Sequence, residues 1–470
     1  MMQPTELSIP EAGRALRDGR LRAVDLLDAH LDLVARRDPT LRAFVTLTQD
    51  AAHHAATRAD TALSEGADLG PLMGIPFAIK DLIDVEGTPS SHGARGKPPQ
   101  TPARSATVVQ RLLAAGAVPL GLVATYELGI VGPSADGAYP PALNPWSPAH
   151  ITGGSSSGSA AAVAAGLVRF AIGTDTGGSI RSPASYCGVT GLKPTFGSLP
   201  RDGVLPLSPS LDHIGVIARS AAEALLVFQA MAGTAPTDLP PDIATLRVGY
   251  ARGWFATDHS ASPAVVDLMD AAISQLTLIG ATSQLIALPD YAVMEAAGAV
   301  LIHAEGLTQH AASVTGTGPT MGRMAYQSMI AGAALTPQDQ TDSHRAARRL
   351  RAEIDTALHT CDVLIMPTTL TSAPAVAAFA DGTAVWTPMR TLPFNVTGHP
   401  ALSTPMGFVG GLPVGMQIVG RHGAEHLITA VGAAFEAATG HSAQRPYWIL
   451  SRSNRNCAAR RCPSRPSLVL

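Results

Sequence analysis

The chain has 470 residues, of which 46% are apolar and only 15% charged, so it has ample material for a packed core and none of the marks of a disordered composition. A net charge of −3 excludes a generally basic nucleic-acid binder, whose phosphate contacts need clustered cations. No apolar run approaches the ~20 residues of a membrane span and the start has no secretory pattern, so the expectation is a soluble, cytoplasmic protein.

In chain order, Thr5 to Asp38 reads as two helices. Ser8-Ile-Pro-Glu11 has the form of a capping box, and Val24, Leu27, Leu31 and Val34 recur at helical spacing. A loop is expected from Asp60 to Gly74, followed by a β-rich run to Val85 interrupted by Lys80, Asp81 and Asp84. Thr107 to Gly116 predicts a helix and Ala117 to Val123 a strand. Around Gly153 the composition turns to glycine, serine and alanine, which predicts a loop opening a tightly packed helix. Phe170 to Ile172 then reads as a strand entering a second glycine turn. Further strands are expected at Leu246 to Tyr250 and Val363 to Met366, and helices at Pro263 to Ile279 and Asp342 to Leu358. This alternation predicts an α/β fold. Residues 1–60 are expected as a helical segment on the core, 61–450 as the catalytic domain and 451–470 as a disordered tail or, alternatively, a basic arm. Four cysteines without metal-ligand or disulfide spacing predict neither a metal site nor a disulfide framework.

Only three of the 33 basic residues are lysines: Lys80, Lys97 and Lys193. Where arginine fills nearly every other cationic position, a retained lysine is a candidate for a role that requires losing its proton, with drift as the other explanation. Lys80 lies in an apolar run, where burial would depress its pKa; a buried ion pair with Asp81 or Asp84 is the alternative. Thr176-Gly177-Gly178-Ser179 permits a turn in which backbone N–H groups converge beside a hydroxyl, the elements of an oxyanion hole and a nucleophile. Ordinary glycine–serine turns share that pattern. A phosphate-binding loop is disfavoured, because neither glycine segment ends in Gly-Lys-Ser/Thr or fits GxGxxG after a strand.

The run Gly153-Gly-Ser-Ser-Ser-Gly-Ser-Ala-Ala-Ala, with Gly173-Thr-Asp-Thr-Gly-Gly-Ser-Ile-Arg and Gly191-Leu-Lys-Pro-Thr, resembles the defining segment of the amidase signature family of serine hydrolases. The likeness extends from Gly74-Ile-Pro through Ser210-Leu-Asp and Pro393-Phe-Asn-Val-Thr-Gly to Arg421. It implies a large mixed β-sheet covered by helices on both faces. It also implies a Ser-Ser-Lys set in which Ser179 is the nucleophile, Ser155 on a cis peptide bond is the bridge and Lys80 is the base. By the same resemblance, the backbone N–H groups of Thr176, Gly177, Gly178 and Ser179 form the oxyanion hole, and Asp175 and Arg181 brace it. Tyr126, Ile130 and Val131 are expected to line the substrate pocket, and no metal or cofactor is expected.

The main functional expectation is a stand-alone amidase for a small amide substrate, such as an aryl amide, with ester or carbamate side activity. It needs no nucleic acid or membrane, and a homodimer stays open. The alternative is the glutamine amidase subunit of a tRNA-dependent amidotransferase. Glutamine-using members carry an acidic pair in the segment matching Gly420 to His426, whereas only Glu425 is present here, which counts against glutamine.

Overall fold

The computed structural model describes residues 3–96, 98–239, 243–316, 321–383 and 386–446. Eleven strands form one sheet: β1 (Phe44–Leu47), β2 (Pro76–Lys80), β3 (Val118–Val123), β4 (Phe170–Asp175), β5 (Thr190–Lys193), β6 (His213–Ala218), β7 (Arg247–Tyr250), β8 (Thr282–Leu285), β9 (Val363–Pro367), β10 (Ala401–Val409) and β11 (Leu412–Val419). Their spatial order is β1-β3-β2-β4-β6-β5-β10-β11-β9-β7-β8. β2 runs parallel to both β3 and β4, and β7 runs parallel to β8 and β9. The remaining pairs, including the β10–β11 hairpin, are antiparallel, so the sheet is mixed. Strands such as β2, β3 and β4 are buried at every position, which is why they read as continuous apolar runs without alternation.

The first helix, Ile9–Arg17, starts at the expected capping box: Ser8 accepts the Glu11 N–H, and Glu11 accepts the Ser8 N–H in return. The second spans Ala23–Leu41 and buries Leu26, Leu27, Leu33 and Val34. A third helix, Gln49–Ser64, runs into the region expected as loop. Its buried face is alanine alone, at Ala52, Ala55, Ala56 and Ala59, too slight an apolar stripe to stand out in the sequence. Residues 1–60 also contribute β1, which pairs with β3, so they share the sheet as well as covering it. The expected helices from Thr107, Pro263 and Asp342 appear as Thr107–Ala114, Pro263–Leu278 and the longer Pro337–Thr360. No helix among the described residues is long and apolar enough to cross a membrane. The 451–470 tail, with Cys457 and Cys462, and Lys97 lie outside the described residues.

What positions the site is the parallel pairing of β2 with β4. Phe77 and Phe170 face each other in register, and their rings stack 5.2 Å apart. The carboxyl ends of these two strands therefore emerge side by side, the place where open α/β sheets present their chemistry.

Candidate functional site

Lys80 is the last residue of β2 and is fully buried. Its Nζ lies 2.8 Å from Ser155 Oγ and 2.8 Å from Thr174 Oγ1 near the end of β4. Among the described residues it forms no ion pair with Asp81 or Asp84. Asp81 instead accepts from the hydroxyls of Ser90, Ser91 and Tyr139. Burial lowers the Lys80 pKa from 10.5 to about 7, against the opposing pull of the carboxylates Asp175 and Asp212.

Ser155 is buried and follows a cis Gly154–Ser155 peptide bond. The glycines at this point are required by crowding: a Cβ on Gly154 would run into the Tyr126 ring. Ser156 N–H donates to the Ser179 carbonyl at 3.1 Å, which holds the Gly/Ser loop against the second glycine turn. Ser156 Oγ donates to the Thr174 carbonyl and Ser157 Oγ to that of Ala124. These two hydroxyls are thereby committed to the backbone. The helix that follows, Ser157–Ala164, is buried throughout, and its small side chains allow that close approach.

Ser179 is half-buried, unlike Lys80 and Ser155 behind it. The turn carrying it is organised by Asp175. One carboxylate oxygen accepts the Gly178 N–H at 2.9 Å, and the other accepts the Ile180 N–H at 3.1 Å. Gly178 adopts φ +131°, where a side chain would be strained and would strike Thr391. The Gly178 amide departs from expectation: it is engaged by Asp175, so it braces the turn and is not free to hold an oxyanion. The amides of Thr176, Gly177 and Ser179 lie outside that carboxylate's hydrogen bonds.

Arg181 donates to Asp175 through Nη2 at 2.8 Å and Nε at 3.0 Å, and both side chains are wholly buried. The same guanidinium reaches Asn395 Oδ1, Gln417 Oε1 and the Thr391 carbonyl. Burial is the largest single influence and raises the Asp175 carboxyl, but the Arg181 charge and hydrogen bonds, with Lys193 and Asn395, together outweigh it and hold the carboxyl well below the usual range. This network joins the end of β4 to β11 and to the short helix Pro393–Val396.

Tyr126, Ile130 and Val131 border a cleft with Ser179, Gly177 and Gly178, closed on another side by Trp386 and Met389. Thr174, Asp212, Asn395, Gln417 and Trp386 were not among the expected site residues. Four of these had a signal: Thr174 precedes Asp175 in the glycine segment, and Asp212, Asn395 and Gln417 lie in the downstream motifs, Gln417 in the last of them, before Arg421. Asp212 accepts the Thr176 hydroxyl at 2.6 Å, and burial raises its carboxyl to about 6. Trp386 had no signal, since only the fold brings it near.

Comparison with known proteins adds a family to this geometry. A family model described as Amidase matches residues 25–429. The chain is 37% identical to the A subunit of a glutamyl-tRNA(Gln) amidotransferase from Chloroflexus aurantiacus, over 96% of this chain and all of that protein. Among solved structures, an amidase superposes with a TM-score of 0.83 at 31% identity, over 92% of this chain and 99% of the other. The A subunit of the glutamyl-tRNA(Gln) amidotransferase from Thermotoga maritima superposes with a TM-score of 0.76 at 26% identity, over 93% and 95%.

These amidotransferase relatives overturn the expectation of a stand-alone small-amide hydrolase with aryl amide, ester or carbamate substrates, and that of a reaction without nucleic acid or protein partners. The argument from Glu425 fails for a physical reason. Its carboxylate accepts the Thr195 N–H at 2.7 Å at the buried start of the helix Glu425–Thr439, so it serves the packing of that helix and is no guide to substrate. The net charge describes this chain alone, so it bears on its own surface and not on what a partner holds.

Proposed function

Because the chain belongs to the amidase signature family, hydrolases of carbon–nitrogen bonds other than peptide bonds, we propose that it is the glutamine-hydrolysing component of a tRNA-dependent amidotransferase. The observation that carries this reading is the end-to-end match to the corresponding component of a glutamyl-tRNA(Gln) amidotransferase. The reading assigns Ser179 as nucleophile, Ser155 as proton relay and Lys80 as base.

A serine hydroxyl is a weak nucleophile near neutrality and needs a base to take its proton. Lys80, with a pKa of about 7, is neutral in half the molecules at that pH, and its Nζ lies at hydrogen-bond distance from Ser155 Oγ. As Ser179 Oγ attacks the side-chain amide carbon of glutamine, its proton passes to Ser155 and the Ser155 proton passes to Lys80. The carbonyl oxygen gains the negative charge, and the Thr176, Gly177 and Ser179 amides stabilise it. The carbon–nitrogen bond then breaks, Ser155 returns a proton to the nitrogen, and ammonia leaves a glutamyl ester on Ser179. Water attacks that ester by the reverse route and releases glutamate. Thr174 Oγ1, the second partner of Lys80, fixes the amine in place through both half-reactions.

The ammonia is consumed by a glutamyl-tRNA held on partner subunits, a reaction that goes with a cytoplasmic location. The test is to follow ammonia release from L-glutamine, and glutamine-dependent amidation of glutamyl-tRNA(Gln), with the chain alone and with its co-expressed partner subunits. Amidation that disappears with Ser179→Ala supports the reading. Full turnover of simple aryl amides by the isolated chain, with no glutamine consumed under either condition, contradicts it.

A further inference from the structure

Away from the Ser179 cleft, three potential ligands meet at one point: His399 just before β10, His422 just after β11, and Asp355 on the helix Pro337–Thr360. One ring nitrogen of each histidine and one carboxylate oxygen lie within 4.8 Å of one another. The Asp355 oxygen is 3.0 Å from His399 Nε2 and 3.8 Å from His422 Nδ1, and the two rings lie 4.2 Å apart.

The hydrogen bonds of Thr397 decide which atoms carry hydrogen. Its hydroxyl donates to the Pro393 carbonyl, so His399 Nδ1, 2.9 Å from that hydroxyl oxygen, is the donor between them. His422 Nε2 faces the Thr397 carbonyl at 3.2 Å, and a carbonyl can only accept. In both neutral rings the hydrogen is therefore on the nitrogen facing Thr397. The other nitrogens, His399 Nε2 and His422 Nδ1, turn bare lone pairs toward the carboxylate. Three acceptors converge where a cation would satisfy all of them.

We propose that Asp355, His399 and His422 form a binding site for a divalent late transition metal, with Zn2+ the best fit. Two imidazoles and a carboxylate suit Zn2+, which binds such atoms at ~2.0–2.2 Å. In a tetrahedral site that places ligands about 3.4 Å apart, and the observed 3.0 and 3.8 Å lie on either side of this value. Each histidine also has its other nitrogen anchored to Thr397, the outer hydrogen bond that fixes tautomer and ring orientation in histidine metal sites. Asp355 and His422 are both partly exposed, which leaves a path for the ion and a position for water as the fourth ligand. The neighbouring cationic groups are engaged elsewhere: Arg351 Nε donates to the Thr397 carbonyl and Lys193 Nζ to the carbonyls of His399 and Pro194. The three ligands come from segments distant in sequence, so no spacing motif announces them. Bound metal would clamp that helix to the segment that follows the short helix holding Asn395, two residues before Thr397.

The test is a Zn2+ titration of the full chain followed by calorimetry and by thermal unfolding. Cys457→Ser and Cys462→Ser form the background, so that those thiols cannot compete. One equivalent should bind and raise the unfolding midpoint. His422→Ala and Asp355→Asn, both at partly exposed positions, should each weaken binding at least about tenfold and abolish the shift. Co2+ in place of Zn2+ should give d–d absorption without thiolate charge transfer. The proposal is overturned if no equivalent binds, which would leave a proton shared between His399 and Asp355 as the sole occupant. It is equally overturned if one equivalent binds with unchanged affinity in both variants.

Discussion

Replacing Lys80 separates a base from a buried cation, and the structure sets the size of the effect. Burial takes the Lys80 pKa from 10.5 to about 7. At pH 7 the neutral fraction is then near one half, against roughly one in 3000 for an ordinary lysine, so the fold supplies about three orders of magnitude in available base. With wild type, kcat/KM for glutamine should rise tenfold per pH unit below about pH 7 and level off above it. Lys80→Arg keeps the charge but cannot deprotonate, and activity should fall by ~10² or more. Lys80→Met should be equally inactive yet more stable. The folded state holds the proton less tightly than the unfolded state, so the lysine's cost to stability is fully present below about pH 7 and is relieved as pH rises toward 10.5. The gap corresponds to a penalty on the order of 5 kcal/mol at low pH. Urea unfolding of Lys80→Met and wild type from pH 6 to 10 should therefore show two curves that converge as pH rises. An arginine variant that folds and keeps most of its activity, or a rate flat between pH 5.5 and 8.5, would refute the assignment of Lys80 as base.

Ser179→Ala should fold normally and turn over near background, and a fluorophosphonate should label wild type at Ser179 and nowhere else by peptide mass mapping; Ser155→Ala should be severely but less completely impaired, since water can stand in for part of a proton relay. Asp175→Asn leaves the fully buried Arg181 guanidinium without its charge partner and should destabilise the protein by about 3–5 kcal/mol in denaturant unfolding, with no gain from added salt.

Much of this site is legible in the sequence because its chemistry is local. Gly153, Gly154 and Gly178 stand where a side chain would clash or be strained, and Lys80 stands out as a cation in an apolar strand. The capping box at Ser8 likewise fixes the first helix from four residues. What was not legible depends on long-range packing. The Gln49–Ser64 helix buries only alanines, and the pairing of β2 with β4 that brings Lys80 to Ser155 and Thr174 follows from the Phe77–Phe170 stack across 93 positions of chain. The loss of the Gly178 donor to Asp175 also escapes a reading of motifs, because the turn that offers the amide is the one whose carboxylate takes it. The choice of substrate is read from the comparison with relatives, and neither net charge nor a single acidic residue at 425 carries that information.

The central claim is that Ser179 carries the acyl group of glutamine, and it is tested most directly by trapping that intermediate. The chain with its partner subunits is mixed with glutamine, quenched in acid within one turnover and digested, and the peptide bearing Ser179 is weighed. A glutamyl ester on Ser179 that is absent in Ser179→Ala and that builds up while ammonia is released in a burst is the predicted result. An unmodified Ser179 in a preparation that is releasing ammonia from glutamine, or a glutamyl group on any other residue, would contradict the account.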